Sequence, residues 1–500
     1  MNVLLVTVDS LRADRVNAEV MPATRSFADG GVEFAECIAN GPSTPASFPA
    51  ILASRYFASI EGLGIPEPGA DDGIRTLAEC LRDEGYATTG YTDNHFASGS
   101  YHYDRGFAEM YDASGAAEAG KLKQFVQSNL DKDGALFRTI ETVYNRVDAL
   151  FASATGQESE YERAESLNRR ALDWIDQQSG GDGERSGDAD GQSGEADDSA
   201  GDGDDRSGEW FTWLHYMDVH HPYEAPDEYQ RQFLDEPLSL SRCRGLSRKG
   251  THHPEEMTDE EWELVRRLYD AECAYVDDQF DALLESLRER DLLEDTLVVF
   301  TADHGELVGE HGHAGHPPEF WEGILRVPLV VSHPDLDSGS GGDPDLDRET
   351  DSEAVEGQAR LVDVAPTITD ALGIDPYDGW EGESALEVAD SGGDADSREH
   401  AFADVGRQIE YARCCVRRAD GWKLMRHADD GEFCFDVSET PDERPEDDRS
   451  GEDCPEFEAL SRALDDHQER MRRLREGGSA GVAEDEEMVE NHLKDLGYLE

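Results

Sequence analysis

Residues 296–316 read TLVVFTADHGELVGEHGHAGH. The apolar run Leu297–Thr301 stops at the polar turn Asp303-His304-Gly305. A run of this length bounded by turn residues reads as a strand that hands potential ligands to the loop behind it. The same segment carries four of the chain's 16 histidines, His304, His311, His313 and His316, together with Asp303, Glu306 and Glu310. Runs of similar texture recur at Asn2–Val8, Tyr86–Tyr91, Trp210–Met217 and Val327–Ser332, with helical patterns between them. That alternation predicts an α/β domain on a mostly parallel sheet flanked by helices. The clearest helix spans Thr258 to about Arg290. Thr258 and Glu261 have capping-box spacing, and Val265, Leu268, Val276, Phe280, Leu283 and Leu287 mark one apolar face.

Five hundred residues, 37% of them hydrophobic, can fill the core of a large domain plus a smaller one. Against 44 Lys+Arg stand 114 Asp+Glu, a formal charge of −70, and only six of the basic residues are lysine. Such a chain repels itself in dilute buffer. We read the load as a solvation device for very high salt, where the Debye length falls to roughly 3 Å or less. No Lys/Arg stripe is present, which argues against nucleic acid or an anionic membrane as partner. The opening MNVLLVTVDSLRADR has no basic region before its short apolar run, and no later run approaches the roughly 18 apolar residues of a spanning helix. The expectation is a cytoplasmic protein without a membrane anchor. The eight cysteines show no C-x-x-C pairing and read mostly as buried thiols, with Cys414 and Cys415 in a strand.

Residues 179–208 contain no large apolar side chain and read as a mobile acidic insertion, and 335–352 are a shorter version. Both fall between predicted elements, so they decorate loops of one catalytic domain over 1–390. Beyond it the texture changes to short alternating runs, ARCCVRRADGWKLMRH and GEFCFDV. These predict a smaller antiparallel α+β subdomain over 391–475, followed by a tail at 476–500.

Ligands of an open α/β sheet gather beyond the carboxyl ends of its strands. Three such ends carry chemistry: Asp9 after NVLLVTV, Asp303-His304 after TLVVFTA, and Asp218-x-His220-His221 after WFTWLHYM. Each alone reads as an ordinary turn or cap; together they suggest a site. Asp9, Asp303 and His304 form a mixed oxygen and nitrogen set suited to a divalent cation. The remaining ligand is expected to be the nucleophile, since coordination lowers a hydroxyl's pKa. GPSTPASFPAILASRY supplies the candidate. Pro45 suits the first helical position, which makes Thr44 the N-cap, where the helix dipole favours an anion. Pro49 complicates this, because it removes a bond in the second turn; a helix starting after Ser47 would leave Thr44 in the preceding loop.

At this point the chain resembles the sulfatase family of the alkaline phosphatase superfamily, and the likeness covers most of its length. VTVDSLRADR looks like the family's metal-binding strand end, and Thr44–Ser54 is similar to its C/S-x-P-S-R nucleophile segment. GYATTGYTDNH, HYMDVHHPYEAP, VVFTADHGELVGEHGHAGH, FCFDVSETPDE and ENHLKDLGYL echo its later motifs in order. The resemblance implies an alkaline-phosphatase-like fold in which Asp9, Asp303 and His304 hold one divalent ion (Ca, Mn or Mg) and Thr44 attacks. His220 and His316 would contact the leaving group or a nonbridging oxygen. His95, with Asp93 where a Lys is usual, and Ser47 would bind substrate, while His311 and His313 orient the others or shape the pocket.

The departures from the family pattern bear on the chemistry. Thr44 cannot be converted to formylglycine, so none is expected; a register slip of one would make Ser43 the nucleophile. The motif's Arg is replaced by Phe48 and a frequent second Asp by Ser10. The expectation is a metal-dependent hydrolase of a small anionic sulfate or phosphate ester, with an unmodified threonine leaning towards phosphorus. The alternatives are a transferase passing a phospho-group from a lipid or sugar donor, and a non-catalytic member that binds an anion or a protein.

Overall fold

Every residue of strand β1, Asn2–Val8, is buried, as a central strand covered on both faces requires. It lies between β5 (Trp210–Tyr216) and β6 (Thr296–Ala302), both parallel to it and equally buried. The computed structural model describes residues 1–60, 62–67, 73–112, 161–179, 208–333, 355–387, 399–405, 413–427, 431–450 and 454–477. The acidic stretches 179–208 and 335–352 and the tail from 476 lie almost wholly outside the described residues.

On the far side of β5 follow β3 (Ala87–Thr92) and β4 (Glu109–Tyr111), again parallel. The other edge is mixed. Beyond β6 come β10 (Leu329–Ser332), then β2 (Val32–Ile38) and β11 (Val355–Arg360), with β10 antiparallel to both its neighbours and β11 parallel to β2. The segment read as one strand over Val327–Ser332 is two, because Pro328 has no N–H to donate: β9 (Arg326–Val327) pairs with β2, and β10 begins after the proline. Three strands escape a search for apolar runs. β2 reads VEFAECI and β11 VEGQAR, with charges inside them, and β4 has only three residues.

The helix anticipated from Thr258 spans Asp259–Glu289 and closes both bonds of its capping box, Glu261 N–H to Thr258 Oγ1 (3.2 Å) and Thr258 N–H to Glu261 Oε2 (3.2 Å). All six residues of its expected apolar face are buried. Phe280 sets its ring 4.6 Å from Phe300 of β6, so the helix covers one face of the sheet behind the site.

Four antiparallel strands form the C-terminal sheet: β12 (His400–Asp404), β13 (Cys414–Arg418), β14 (Trp422–His427) and β15 (Gly431–Asp436). Cys414 and Cys415 sit in a strand as read. Cys434 and Cys454, in contrast, form a disulfide, because the turn after β15 carries the chain back over that strand; the other six cysteines are thiols. An ion network couples this sheet to the main one. Lys423, fully buried, donates to Glu443 (2.7 Å) and Glu322 (3.0 Å). Arg417 bridges Glu322, Gln358 of β11 and Glu36 of β2. Glu443 and Glu322 outweigh the cost of burial and hold the Lys423 ammonium above its usual pKa.

Removing one partner of such a network strands charge in the core, which typically costs about 3–5 kcal/mol. Lys423→Met should therefore lower unfolding stability by about 3 kcal/mol in a denaturant titration. A change below about 0.5 kcal/mol would show that the network is energetically silent.

Candidate active site

β1 and β6 end side by side because Val8 pairs with Ala302, and the next residue of each is an aspartate. Asp9 and Asp303 are both fully buried. After Asp9 the chain turns through Ser10 at φ 63°, a left-handed conformation that costs a serine on the order of 1 kcal/mol. The Ser10 N–H donates to Asp303 Oδ1 (3.2 Å), its hydroxyl donates to Asp9 Oδ1 (2.9 Å), and Tyr269 of the long helix donates to its carbonyl (2.8 Å). The turn thus fixes both carboxylates at once.

The Thr44 hydroxyl faces them, donating to Asp303 Oδ2 at 2.9 Å and lying 3.4 Å from Asp9 Oδ2. Asn94, just beyond β3, donates to Asp9 Oδ2 (2.8 Å) and to Thr44 Oγ1 (3.2 Å). The helix runs Thr44–Ala53, which corrects the expected start by one residue. Ser43, extended at φ −157° and ψ 157°, is the N-cap and Thr44 is the first helical residue. Two backbone bonds decide it, since Ala46 and Ser47 N–H both reach the Ser43 carbonyl (3.0 Å each). The Thr44 side chain is therefore released from capping and turned towards the carboxylates. Pro49 is absorbed inside the helix. Gly41 permits the approach: a Cβ there would meet that of Ala46 at 2.2 Å.

His304 completes the group. Its N–H donates to Asp303 Oδ1 (2.8 Å) and its Nδ1 lies 2.9 Å from the Gly305 carbonyl. That contact aims Nε2 inward, 3.4 Å from Asp303 Oδ2 and 3.8 Å from Asp9 Oδ1. His215 of β5 approaches from below, with Nε2 3.4 Å from Asp9 Oδ2 and Nδ1 2.9 Å from the Thr7 hydroxyl. Burial and the Asp9 charge push Asp303 up to about 8. Asp9, although burial alone would raise it, is held well below the usual carboxylate range by His220, His215 and His304.

Two facing carboxylates in a dry site cannot both stay ionised without positive charge. The Nε2 atoms of His304 and His215 are buried and make no hydrogen bond. Asp9, His215 and Asp303 offer ligand atoms all within 4.8 Å of one another. The donor set fits a divalent cation, with Asp9, Asp303, His304 and the Thr44 hydroxyl around it and His215 as a further nitrogen.

A second group of imidazoles stands beside the first. The hairpin of β7 (Leu307–Val308) and β8 (Ala314–Gly315), in register Leu307↔Gly315, folds His316 back opposite Glu306. His316 Nε2 lies 3.1 Å from His220 Nε2, and its ring centre is 4.4 Å from that of His304. His221 Nδ1 contacts Glu306 Oε1 at 2.7 Å. Burial lowers the pKa of His220 to about 4 and takes His316 well below its usual value, while it raises Glu306 to about 8.

The structure thus brings Asp9, Thr44, Asp303, His304, His220 and His316 into one cleft. Ser47 is buried and donates to the Gly41 carbonyl (2.9 Å), bracing the turn before the helix. His95 is exposed and packs edge-on against Tyr101; from the same stretch it is Asn94 that reaches Thr44. Asp218 turns away to bind Arg163 (3.0 Å) and the Ala164 N–H (2.9 Å). His311 stacks on Trp321 at 3.9 Å and His313 is exposed. Sequence reasoning missed Asn94, His215 and the part played by Glu306. The first two carried a usable signal, since both sit at the carboxyl end of a strand.

A profile of the family described as Sulfatase matches residues 1–374. Relatives include the choline-sulfatase of Rhizobium meliloti (strain 1021), 27% identical over 186 residues, which are 37% of this chain and 33% of that protein. Arylsulfatase K of Gallus gallus is 29% identical over 205 residues, 38% of this chain and 34% of its own length. The matched stretch spans about a third of the length of these relatives. Among solved structures, the phosphonate monoester hydrolases of Agrobacterium radiobacter and Silicibacter pomeroyi share the fold. Both have a TM-score of 0.61 with 94% of this chain and 95% of theirs covered, at 17% and 21% identity. Among the described residues no helix is long and apolar enough to cross a membrane. The matched span holds the whole cleft from Asp9 to His316, and the chain belongs to the sulfatase family.

Proposed function

We propose that this chain is a metal-dependent hydrolase of sulfate or phosphate esters in which the Thr44 hydroxyl attacks. The observation that carries the reading is the placement of Thr44 Oγ1, 2.9 Å from Asp303 and 3.4 Å from Asp9 at the first turn of a helix. A divalent ion on Asp9, Asp303 and His304 would supply Lewis acidity and make a nearby hydroxyl more acidic. The chain's own residues do the positioning. Asp303 takes the hydroxyl's hydrogen bond, Asn94 holds the same oxygen from the other side, and His220 and His316 meet the ester from the facing loops.

Phosphorus is favoured over sulfur. Threonine cannot become formylglycine, and Ser43, half-buried as the N-cap, is not the residue that bonds the carboxylates. The family's motif arginine is here Phe48, fully buried with its ring 4.8 Å from that of His215, so no guanidinium gathers charge on the ester at that position. The names of the phosphonate monoester hydrolases agree with this leaning. We also read the charge of −70 as adaptation to molar salt, in a cytoplasmic setting.

Thr44→Ala should reduce kcat by roughly 10³-fold or more with the fold intact by circular dichroism, while Thr44→Ser retains measurable turnover. Wild-type activity in the alanine variant would remove Thr44 from the mechanism. Nitrophenyl phosphodiesters should be cleaved in preference to nitrophenyl sulfate, and the peptide holding Ser43 and Thr44 should have its unmodified mass. An aldehyde at Ser43 would reverse both assignments. Raising KCl from about 0.2 M to about 3 M should raise the thermal unfolding midpoint, because screening relieves self-repulsion; a falling midpoint would contradict the high-salt reading.

A further inference from the structure

We infer that His220, His221 and His316, backed by Glu306, form a second cation site that takes a borderline divalent metal such as zinc, next to the Asp9–Asp303–His304 centre. Each imidazole offers one nitrogen, and the three lie within 4.8 Å of one another. His220 Nε2 and His316 Nε2 are 3.1 Å apart. Two nitrogens bound at about 2.0–2.1 Å to a tetrahedral ion stand roughly 3.3 Å apart, so this pair is already near its bound spacing, while His221, stacked on His220 at 4.2 Å, would turn its ring to join them.

The outer contacts are those that orient metal-binding histidines. His220 Nδ1 lies 2.5 Å from the His221 carbonyl and 3.3 Å from the Tyr161 hydroxyl, which points Nε2 into the cleft. His221 Nδ1 meets the Glu306 carboxyl at 2.7 Å, so Nε2 is the nitrogen that would ligate. A carboxylate behind a ligating imidazole fixes its tautomer and raises its basicity.

The donors decide the class of metal. Three neutral imidazoles suit zinc or cobalt and suit calcium or magnesium poorly, since those ions seek oxygen. Three protein ligands leave a fourth position open, and His221, with 16% of its side chain exposed, sits on the solvent side. The two centres are neighbours, with the His316 and His304 rings 4.4 Å apart. An ion held here would offer positive charge to a second oxygen of the same ester, in place of direct contact by His220 and His316. The assignment does not depend on Thr44 being the nucleophile.

The test is metal stoichiometry on the full chain, stripped with a chelator and titrated with Zn²⁺ and, separately, Co²⁺. Two ions per chain are expected. Co²⁺ should give the intense visible bands of a four-coordinate site, and His316→Gln and His221→Gln should each drop the count from two to one and remove those bands. Asp303→Asn should lose the other ion and keep the bands. A wild-type count of one, abolished by Asp303→Asn and untouched by His316→Gln, would overturn the second site and leave the proposed hydrolase standing. If a histidine variant fails to fold, anomalous scattering from wild-type crystals grown with Zn²⁺ decides. A peak bound by the three imidazoles supports the assignment, and a single peak at Asp9 and Asp303 sinks it.

Discussion

Two buried carboxylates sharing one hydroxyl are a costly arrangement, and much of the structure around Asp9 and Asp303 is explained by that cost. Like charges at this separation in a dry site force one proton onto the pair unless positive charge intervenes. The Ser10 turn holds both carboxylates in place at the expense of a left-handed backbone, and Asn94 and Tyr269 brace it from either side. Local strain of this kind persists where surrounding contacts over-determine it. Here they come from three separate parts of the chain.

The parallel register makes the juxtaposition possible. Val8 opposite Ala302 and Thr7 opposite His215 bring three strand ends to one edge, so residues about 90 and 300 positions apart converge without a dedicated scaffold. The long helix with Phe280 against Phe300 holds the sheet from behind. The C-terminal sheet secures the opposite edge through Lys423 and Arg417. In a chain so rich in acid, spending one of six lysines on a fully buried position is a statement about where fixed geometry is needed.

The imidazole side of the cleft follows a different logic. Burial pushes His220 and His316 below the usual imidazole range. In the proposed reaction, charge for an anionic ester would then come from bound cations, in keeping with a chain in which basic residues are few. Screening in salt would weaken long-range steering far more than it would weaken a buried ion.

Sequence alone was enough for the central strands, the capped helix from Thr258 and the grouping of Asp9, Asp303 and His304, because each is a local pattern: an apolar run, a cap with its partner three residues on, a polar residue at a strand end. Strands β2 and β11 were hidden because charged residues interrupt them, paired where they fold: Glu33 with Arg25, Glu36 with Arg417 and Arg360 with Asp363. Thr44 was identified by its neighbours in the chain, yet its freedom from capping depended on where the Ser43 carbonyl found its donors. Asn94 and His215 stand at strand ends that the sequence marks, but what they and Glu306 touch is set by register and by a hairpin. Those are contacts between distant segments, and no local pattern encodes them: the strand pairing and packing that set them exist only once the chain has folded.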